Sequence, residues 1–171
     1  MKQERVALFP GSFDPFTNGH LDLVRRGTML FDRVVIAVAH NSAKTALFTA
    51  DERVEMIEES VRGLRGASAM QFSGLLVDCA RAIHAQAIIR GLRAVSDFEF
   101  EFQMALMNRR LAPELEITFL MPSQEYTYLH STLVKEVARH GGRVRGLVPS
   151  GVEKRLRARF ATPGRKATGK K

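Results

Sequence analysis

The chain has 171 residues, of which 45% are hydrophobic, and its formal net charge is +8. This length predicts one domain with a full hydrophobic core, and no apolar run is long enough to cross a bilayer. The single cysteine, Cys79, excludes an intrachain disulfide framework and a zinc site built from several cysteines. With no room for a signal peptide before the first predicted strand, these features predict a cytoplasmic protein with no membrane partner.

The positive charge is concentrated at the C-terminal end. Residues 154–171 hold eight of the 26 basic residues and none of the 18 acidic ones, so the rest of the chain is neutral. We therefore predict a domain over residues 1–160 and a basic, disordered tail over residues 161–171. A solubilising tail is favoured over a nucleic-acid-binding arm, and nucleic acid is not an expected partner.

The first predicted strand and helix flank a polar loop rich in glycine and proline. Residues 6–9 form an apolar run, and Leu21, Val24 and Thr28 recur after the loop with helical spacing. His20 therefore falls in the first turn of a helix, where unpaired N–H groups and the helix dipole favour an anion. A histidine in that place can donate to a phosphate, or it can serve only as a capping residue.

Strands and helices then alternate. The apolar run at residues 33–39 is typical of a strand buried on both faces. Thr49 and Glu52 have the spacing of a capping box, in which each side chain bonds the other residue's backbone N–H. Further strands are predicted at residues 67–72, 86–90 and 116–121, a helix at residues 75–85, and helices that begin with a Ser96/Glu99 box, with Ser131 or Thr132, and with a Ser150/Glu153 box.

This order predicts the α/β class, as a single Rossmann-like doubly wound domain with a five-stranded parallel sheet and helices on both faces. Ligands of such sheets bind at the carboxyl ends of the strands. Potential phosphate-binding residues follow the predicted strands at Ser12, His20, Lys44, Arg90, Arg93, Ser131 and Thr132.

These residues are all hydrogen-bond donors or cations, which suits a ligand with several phosphates. Positioned donors are what phosphoryl or nucleotidyl transfer chiefly requires of a protein. Other interpretations stay open at single positions. Lys44 could be a solvated loop lysine, and Arg90 and Arg93 could form plain salt bridges with Asp97 and Glu101.

Several segments resemble one known family. Thr17-Asn18-Gly19-His20 matches the (His/Thr)-x-Gly-His signature of the nucleotidyltransferase superfamily. Residues 11–15, 89–99, 119–123 and 131–136 are similar, in order, to bacterial phosphopantetheine adenylyltransferases. The resemblance covers about residues 5–160.

The resemblance implies transfer of the adenylyl group of ATP to 4′-phosphopantetheine, giving dephospho-coenzyme A and pyrophosphate without a covalent enzyme intermediate. It also implies Mg²⁺ as the cofactor, a cytoplasmic location and a homohexamer. The alternative is a member of the same superfamily that uses another acceptor, such as nicotinate mononucleotide.

Site residues are implied by the same resemblance, and no residue is assigned as a metal ligand. His20, Lys44 and Ser12 are expected to be catalytic, and Ser12, Lys44, Leu76 and Arg90 to bind phosphopantetheine. The expected ATP-binding residues are Ser12, Phe13, His20, Gly91, Leu92, Arg93, Glu101, Tyr126, Thr127, Tyr128, Leu129, His130, Ser131 and Thr132.

Some positions leave alternatives open. His130 replaces a small hydroxyl residue of the family motif and either donates to phosphate or points to solvent. Asp14 either serves a Mg²⁺ site or shapes the Asp-Pro turn. Cys79 is expected only to fill space on a helix face. The alternating aromatics Phe98, Phe100 and Phe102 cannot all face one core, which indicates a subunit interface.

Overall fold

A computed structural model of the chain describes residues 4–40, 46–93 and 95–161, with residues 95–97 described by their backbone alone. The predicted tail therefore lies, apart from Ala161, outside the described residues, as does Lys44. In chain order the elements are β1 (Val6–Gly11), α1 (Asn18–Leu30), β2 (Arg33–Ala39), α2 (Ala50–Val61), β3 (Ala67–Phe72), α3 (Leu76–Ala82), β4 (Ala87–Gly91), α4 (Val95–Leu111), β5 (Glu116–Leu120), a 3₁₀ turn (Gln124–Tyr126), α5 (Ser131–Arg139) and α6 (Ser150–Phe160).

The strands form one parallel sheet of five strands in the order β3-β2-β1-β4-β5. Strand order reverses at β1, whose neighbours are β2 on one side and β4 on the other. This confirms the predicted Rossmann-like α/β fold and places the crevice of the sheet at the carboxyl ends of β1 and β4.

The sheet is covered on both faces, because successive side chains of a strand point to opposite sides. In β1, Ala7 and Phe9 belong to a core shared with α1, α2, α5 and α6. Val6 and Leu8 belong to a second core shared with α3. Cys79 is buried in this second core, as predicted for a space-filling residue. None of the described helices is long and apolar enough to cross a membrane.

One predicted capping box is confirmed, whereas the predicted starts of α4, α5 and α6 need correction. Thr49 Oγ1 accepts from the Glu52 amide at 3.2 Å, and Glu52 Oε2 accepts from the Thr49 amide at 2.7 Å. Helix α6 instead begins at Ser150 itself, with Pro149 as its N-cap. The Pro149 carbonyl already accepts from the Glu153 amide at 3.0 Å, so Ser150 lies inside the helix. Ser96 likewise lies within α4, which begins one residue earlier.

The predicted cap of α5, Ser131 or Thr132, is also wrong. His130 is its N-cap, since its carbonyl accepts from Val134 at 3.2 Å and its Nδ1 accepts from Leu133 at 3.2 Å. Ser131 is the first helical residue, and its hydroxyl donates to the Pro15 carbonyl at 2.8 Å. Helix α3 is shorter than predicted, because His84 adopts a left-handed conformation with φ 56° just after it.

Helix α4 presents apolar side chains to solvent along its length. Phe98, Phe100 and Phe102 are 49%, 61% and 47% exposed, which confirms that they do not all enter the core. The rings of Phe98 and Phe102 stack on each other, with their centres 5.7 Å apart. Met104, Leu106, Met107 and Leu111 are exposed as well, and the exposed apolar side chains of this helix are together named here the α4 face.

Candidate active site

A cavity of about 370 Å³ opens at the carboxyl ends of β1 and β4, within the size range of small-molecule sites. Most of the predicted site residues that the structure describes meet there. The lining residues are Phe9, Pro10, Gly11, Ser12, Phe13, His20, Leu23, Arg90, Gly91, Arg93, Glu101, His130, Ser131 and Thr132.

Some predicted site residues do not line this cavity. Leu76 begins α3 and packs against the second core. Leu92 and residues 126–129 adjoin lining residues in the chain but are not themselves part of the cavity lining. Leu129 is buried in the main core, whereas Tyr128 is 83% exposed.

Two glycines allow the segments around the cavity to approach closely. A Cβ on Gly91 would lie 2.5 Å from Leu23 Cδ1, so a side chain there would force Leu23 of α1 to move away from the end of β4. A Cβ on Gly19 would lie 3.3 Å from Tyr126 Cβ, where the 3₁₀ turn crosses the start of α1. These contacts bring β4 and the segment before α5 to the loop that carries His20.

His20 is the third residue of α1 and takes part in its N-terminal cap. The Thr17 hydroxyl accepts from the His20 amide at 3.3 Å, and His20 Nδ1 accepts from the Thr17 amide at 3.0 Å. Because Nδ1 accepts a hydrogen bond, the neutral ring carries its proton on Nε2. The cap therefore leaves an Nε2–H donor for the cavity that the ring lines.

The environment of His20 keeps its ring neutral. The ring packs edge-on against Phe13, with centres 5.1 Å apart, and lies 5.6 Å from Phe16. Burial, together with the positive charge of Arg93, lowers the pKa of His20 to about 3. At neutral pH the group is a hydrogen-bond donor and not a cation.

Arg90 forms a two-pronged ion pair with Glu101 of α4. Its Nε and Nη2 atoms donate to the two carboxylate oxygens, each at 2.6 Å, and both side chains are largely shielded from solvent. The salt-bridge interpretation is thus correct for the Arg90–Glu101 pair. Both residues also line the cavity, so the pair fixes a guanidinium at its wall.

Arg93 and the N-terminus of α5 also line the cavity. Arg93 Nη1 lies 3.5 Å from the Leu129 carbonyl, near the start of α5. The amides of Ser131 and Thr132 make no hydrogen bond to any described residue. Free amides at a helix N-terminus beside a guanidinium form a phosphate-binding arrangement.

Asp14 has a structural role. Its carboxylate, which is buried, accepts from the amides of Leu47 and Phe48 at 2.9 and 3.0 Å. It also pairs with Lys135 Nζ at 2.7 Å. Because these donors occupy both oxygens, the carboxylate holds the β2–α2 segment and α5 to the loop, which favours the turn interpretation over a magnesium ligand.

Comparison with known proteins agrees with this geometry. The cytidylyltransferase-like family model matches residues 8–137. A phosphopantetheine adenylyltransferase of Moorella thermoacetica is 52% identical over 156 residues, which are 91% of this chain and 98% of that protein. The one from Oleidesulfovibrio alaskensis is 49% identical over 93% of this chain and 94% of its own length. The chain belongs to the phosphopantetheine adenylyltransferase family.

Solved structures of lower identity share the fold. A bifunctional NMN adenylyltransferase/ADP ribose pyrophosphatase from Francisella tularensis is 16% identical, with a TM-score of 0.69 over 94% of this chain and 50% of that chain. At this identity the likeness shows the fold alone, so it does not favour another acceptor.

Within the phosphopantetheine adenylyltransferase family, the motifs did not reveal every residue that supports the site. Arg53, Asp22 and Lys135 all hold site segments, although none of them is among the predicted site residues. Arg53 and Asp22 lie outside the family-like segments, and Lys135 lies within residues 131–136. The burial of Arg53 could have been predicted from its spacing, because it lies on the same buried helical stripe as Met56 and Ile57. The contacts of Asp22 and Lys135 join residues about 100 positions apart, and no local pattern reports them.

Proposed function

We propose that this chain transfers the adenylyl group of ATP to 4′-phosphopantetheine, producing dephospho-coenzyme A and pyrophosphate. The observation that carries the proposal is the convergence, in one cavity, of His20, the Arg90–Glu101 pair, Arg93 and the N-terminus of α5. Relatives about 50% identical over nine-tenths of the chain, all named phosphopantetheine adenylyltransferase, support this acceptor.

The reaction needs no covalent enzyme intermediate. A phosphate oxygen of phosphopantetheine attacks the α-phosphorus of ATP, a new P–O bond forms, and the bond from the α-phosphorus to the bridging oxygen breaks as pyrophosphate leaves. The attacking oxygen is already anionic, so no general base is required. The protein has to align two phosphate groups and stabilise the charge that develops between them.

His20 suits the α-phosphate because it donates without titrating. Its Nε2–H is directed by the Thr17 cap, and the partly buried ring stays neutral over the physiological pH range. A preorganised donor of this kind is worth about 10²- to 10³-fold in rate. We assign His20 the role of stabilising the transition state.

Two groups of cavity residues suit the remaining phosphates. Arg93 and the amides of Ser131 and Thr132 suit the pyrophosphate that leaves. Arg90, oriented by Glu101, suits the acceptor phosphate. Ser12, which directly follows β1, also lines the cavity. The expected contribution of Lys44 remains a prediction, since it lies outside the described residues.

We propose that Mg²⁺ accompanies ATP and is not held by a protein cluster. Among the described residues, no group of three or more His, Cys, Asp or Glu could hold a metal ion. The one carboxylate lining the cavity, Glu101, is engaged by Arg90. Mg²⁺ commonly binds substrate phosphates while keeping several waters, and it would then neutralise part of the triphosphate charge.

We also propose a homohexamer and a cytoplasmic location. The α4 face supports self-association, because one helix exposes seven large apolar side chains, and a concentration of exposed apolar surface marks interaction sites. Cys79 is a free thiol, which is the usual state in a reducing compartment.

The decisive experiment is an acceptor panel. Purified protein is incubated with ATP, Mg²⁺ and either 4′-phosphopantetheine or nicotinate mononucleotide, and pyrophosphate and the adenylylated product are measured. We expect dephospho-coenzyme A with the first acceptor and no product with the second. Pyrophosphate release with nicotinate mononucleotide alone would overturn the proposal.

A further inference from the structure

Arg53 of α2 is a buried cation that binds backbone carbonyls. It is 6% exposed, and its Nη1 donates to the Ser12 carbonyl at 2.6 Å and to the Ala39 carbonyl at 3.3 Å. Its Nε donates to the Thr49 carbonyl at 3.2 Å. The guanidinium thus joins the β1–α1 loop, the end of β2 and the start of α2.

Burial of the Arg53 guanidinium costs free energy of folding. Burying a guanidinium is unfavourable when only neutral partners compensate its charge. No carboxylate of the described residues forms an ion pair with Arg53. A leucine or methionine would fill the same position on the buried stripe of α2 without that cost.

The shortest of these bonds fixes one peptide group. The peptide between Ser12 and Phe13 is trans, so its carbonyl and its N–H point in opposite directions from one plane. Arg53 holds the carbonyl from the protein side and does not line the cavity, whereas Ser12 and Phe13 do line it. The Phe13 N–H therefore points away from Arg53.

The backbone at Phe13 needs such support. Its φ is 47°, in the left-handed region, which is unfavourable for a residue with a side chain. The ring is anchored against Phe9 and Phe16, with centres 5.4 and 5.7 Å away. The Phe13 amide makes no hydrogen bond to any described residue, so it is available to a ligand. Strain at a site persists only where the surroundings hold it.

We propose that Arg53 is a positioning residue for adenylyl transfer. Through the Ser12 carbonyl it holds the Ser12–Phe13 peptide with the N–H turned to a phosphate oxygen of the nucleotide, and its charge polarises that N–H. The proposal rests on the proposed function for its reaction. It concerns a side chain that touches neither substrate.

The test compares Arg53→Met, which removes the donors and the charge, with Arg53→Lys, which keeps the charge and can reach one carbonyl. Arg155→Met is the matched control, because Arg155 binds Glu55 and Glu59 of α2 and does not line the cavity. Melting temperature, kcat and both KM values are measured for each folded variant.

We expect Arg53→Met to lower kcat by about 10- to 100-fold. This decrease is smaller than the one expected when a donor is removed, because the Phe13 N–H is misdirected but still present. The KM for 4′-phosphopantetheine should change less than about twofold, and Arg53→Lys should recover part of kcat. Arg155→Met should lower the melting temperature and leave kcat unchanged. A purely structural Arg53 would behave as Arg155 does, so a folded Arg53→Met with wild-type kcat overturns the proposal.

The proposal can still be tested if Arg53→Met does not fold or if the wild type is inactive. If Arg53→Met does not fold, Arg53→Lys decides: a reduced kcat supports the proposal and a wild-type kcat overturns it. If the wild type forms no dephospho-coenzyme A, the proposed function fails by itself. Calorimetric binding of ATP then tests Arg53: weaker binding in the variant supports the positioning role, and equal binding overturns it.

Discussion

At the residue scale, His20 combines a structural and a catalytic role. The third position of a capped helix is often Glu or Gln, whose side chain reaches back to the N-cap amide. Here the imidazole makes that bond through Nδ1, and this selects the tautomer that presents Nε2–H to the cavity. The cap and the catalytic donor are thus two nitrogens of one ring.

The substitution His20→Gln separates the two roles. Glutamine at this position can still bond the Thr17 amide, so the helix cap is retained. We expect kcat to fall by about 10²- to 10³-fold while the melting temperature changes little. Steady-state kinetics and thermal unfolding measure the two effects. His20→Ala is the comparison variant, because it loses both the bond to the Thr17 amide and the Nε2–H donor. A Gln variant that loses stability and activity together would assign His20 a structural role alone.

The lowered pKa of His20 also predicts a dependence of stability on pH. In the unfolded chain the ring binds a proton near pH 6.5, whereas in the folded protein it does so only near pH 3. As the pH falls from 6.5 toward 3, the unfolded state gains a proton that the folded state does not bind, so the free energy of unfolding decreases. Above about pH 7 the contribution of His20 to the free energy of unfolding no longer changes with pH.

At pH 5 the expected loss from His20 is on the order of 2 kcal/mol relative to pH 7.5. Urea unfolding at both pH values measures the loss in the wild type and in His20→Gln, which lacks the titrating ring. The variant should lose correspondingly less stability on acidification. Equal losses in the two proteins would contradict a buried neutral histidine.

At the element scale, two side-chain hydrogen bonds hold the N-terminus of α5. His130 caps it through Nδ1, and the Ser131 hydroxyl ties it to the Pro15 carbonyl. The segment before it is tied to α1 by Asp22, which accepts from the amide and hydroxyl of Ser123 at 2.8 and 3.1 Å. Burial alone would raise the pKa of Asp22, but the bonds from Ser123 and Arg26 outweigh it and lower the pKa.

We expect His130→Ala to destabilise the protein by about 1 kcal/mol, because the Leu133 amide loses its acceptor. His130→Ser should keep the stability, since serine is a strong N-cap. In the reverse reaction the alanine variant should show a higher KM for pyrophosphate than the serine variant. Chemical unfolding and reverse-direction kinetics measure both effects, and an alanine variant equal to the wild type would exclude the capping role.

At the scale of the whole molecule, the described part of the chain leaves the α4 face exposed to solvent. Glu101 of the same helix points to the cavity and binds Arg90. Self-association through α4 would therefore order the helix that orients Arg90. The proposed oligomer and the acceptor side of the site are connected through one element.

Phe100→Glu should reduce the mass of the particle in solution, because a charge would be placed on the α4 face, where Phe100 is 61% exposed. Light scattering after size exclusion measures the mass. Met29→Glu, at an exposed methionine 82% accessible at the end of α1, is the control and should keep it. A variant with unchanged mass would remove the α4 face from the interface.

Deletion of residues 162–171 should leave kcat and KM nearly unchanged, because the proposed phosphate-binding groups all lie before the tail. The deleted segment carries Arg165, Lys166, Lys170 and Lys171, so weak, salt-dependent binding to polyanions should fall. Steady-state kinetics and binding to single-stranded nucleic acid at two salt concentrations measure this. A large loss of turnover would give the tail a catalytic role that its composition does not predict.

The sequence by itself determined most elements, because their signals are local. The apolar run at residues 33–39 predicts β2, the Thr49/Glu52 box begins α2, and the glycine- and proline-rich loop places His20 in the first turn of α1. Where two residues competed for one cap, local spacing failed. Ser131 has the right side chain for an N-cap, but the loop before α5 makes His130 the residue whose carbonyl begins the helix.

Only the tertiary structure decided which polar groups meet. Arg90 and Glu101 are eleven positions apart, yet their pairing depends on how α4 leaves the sheet. Arg53 binds Ser12 across 41 positions, so its burial becomes visible only when β1, β2 and α2 are assembled. Side-chain spacing along a chain reports neighbours within a turn or a strand, whereas a binding site is made by segments that the packing of the sheet brings together.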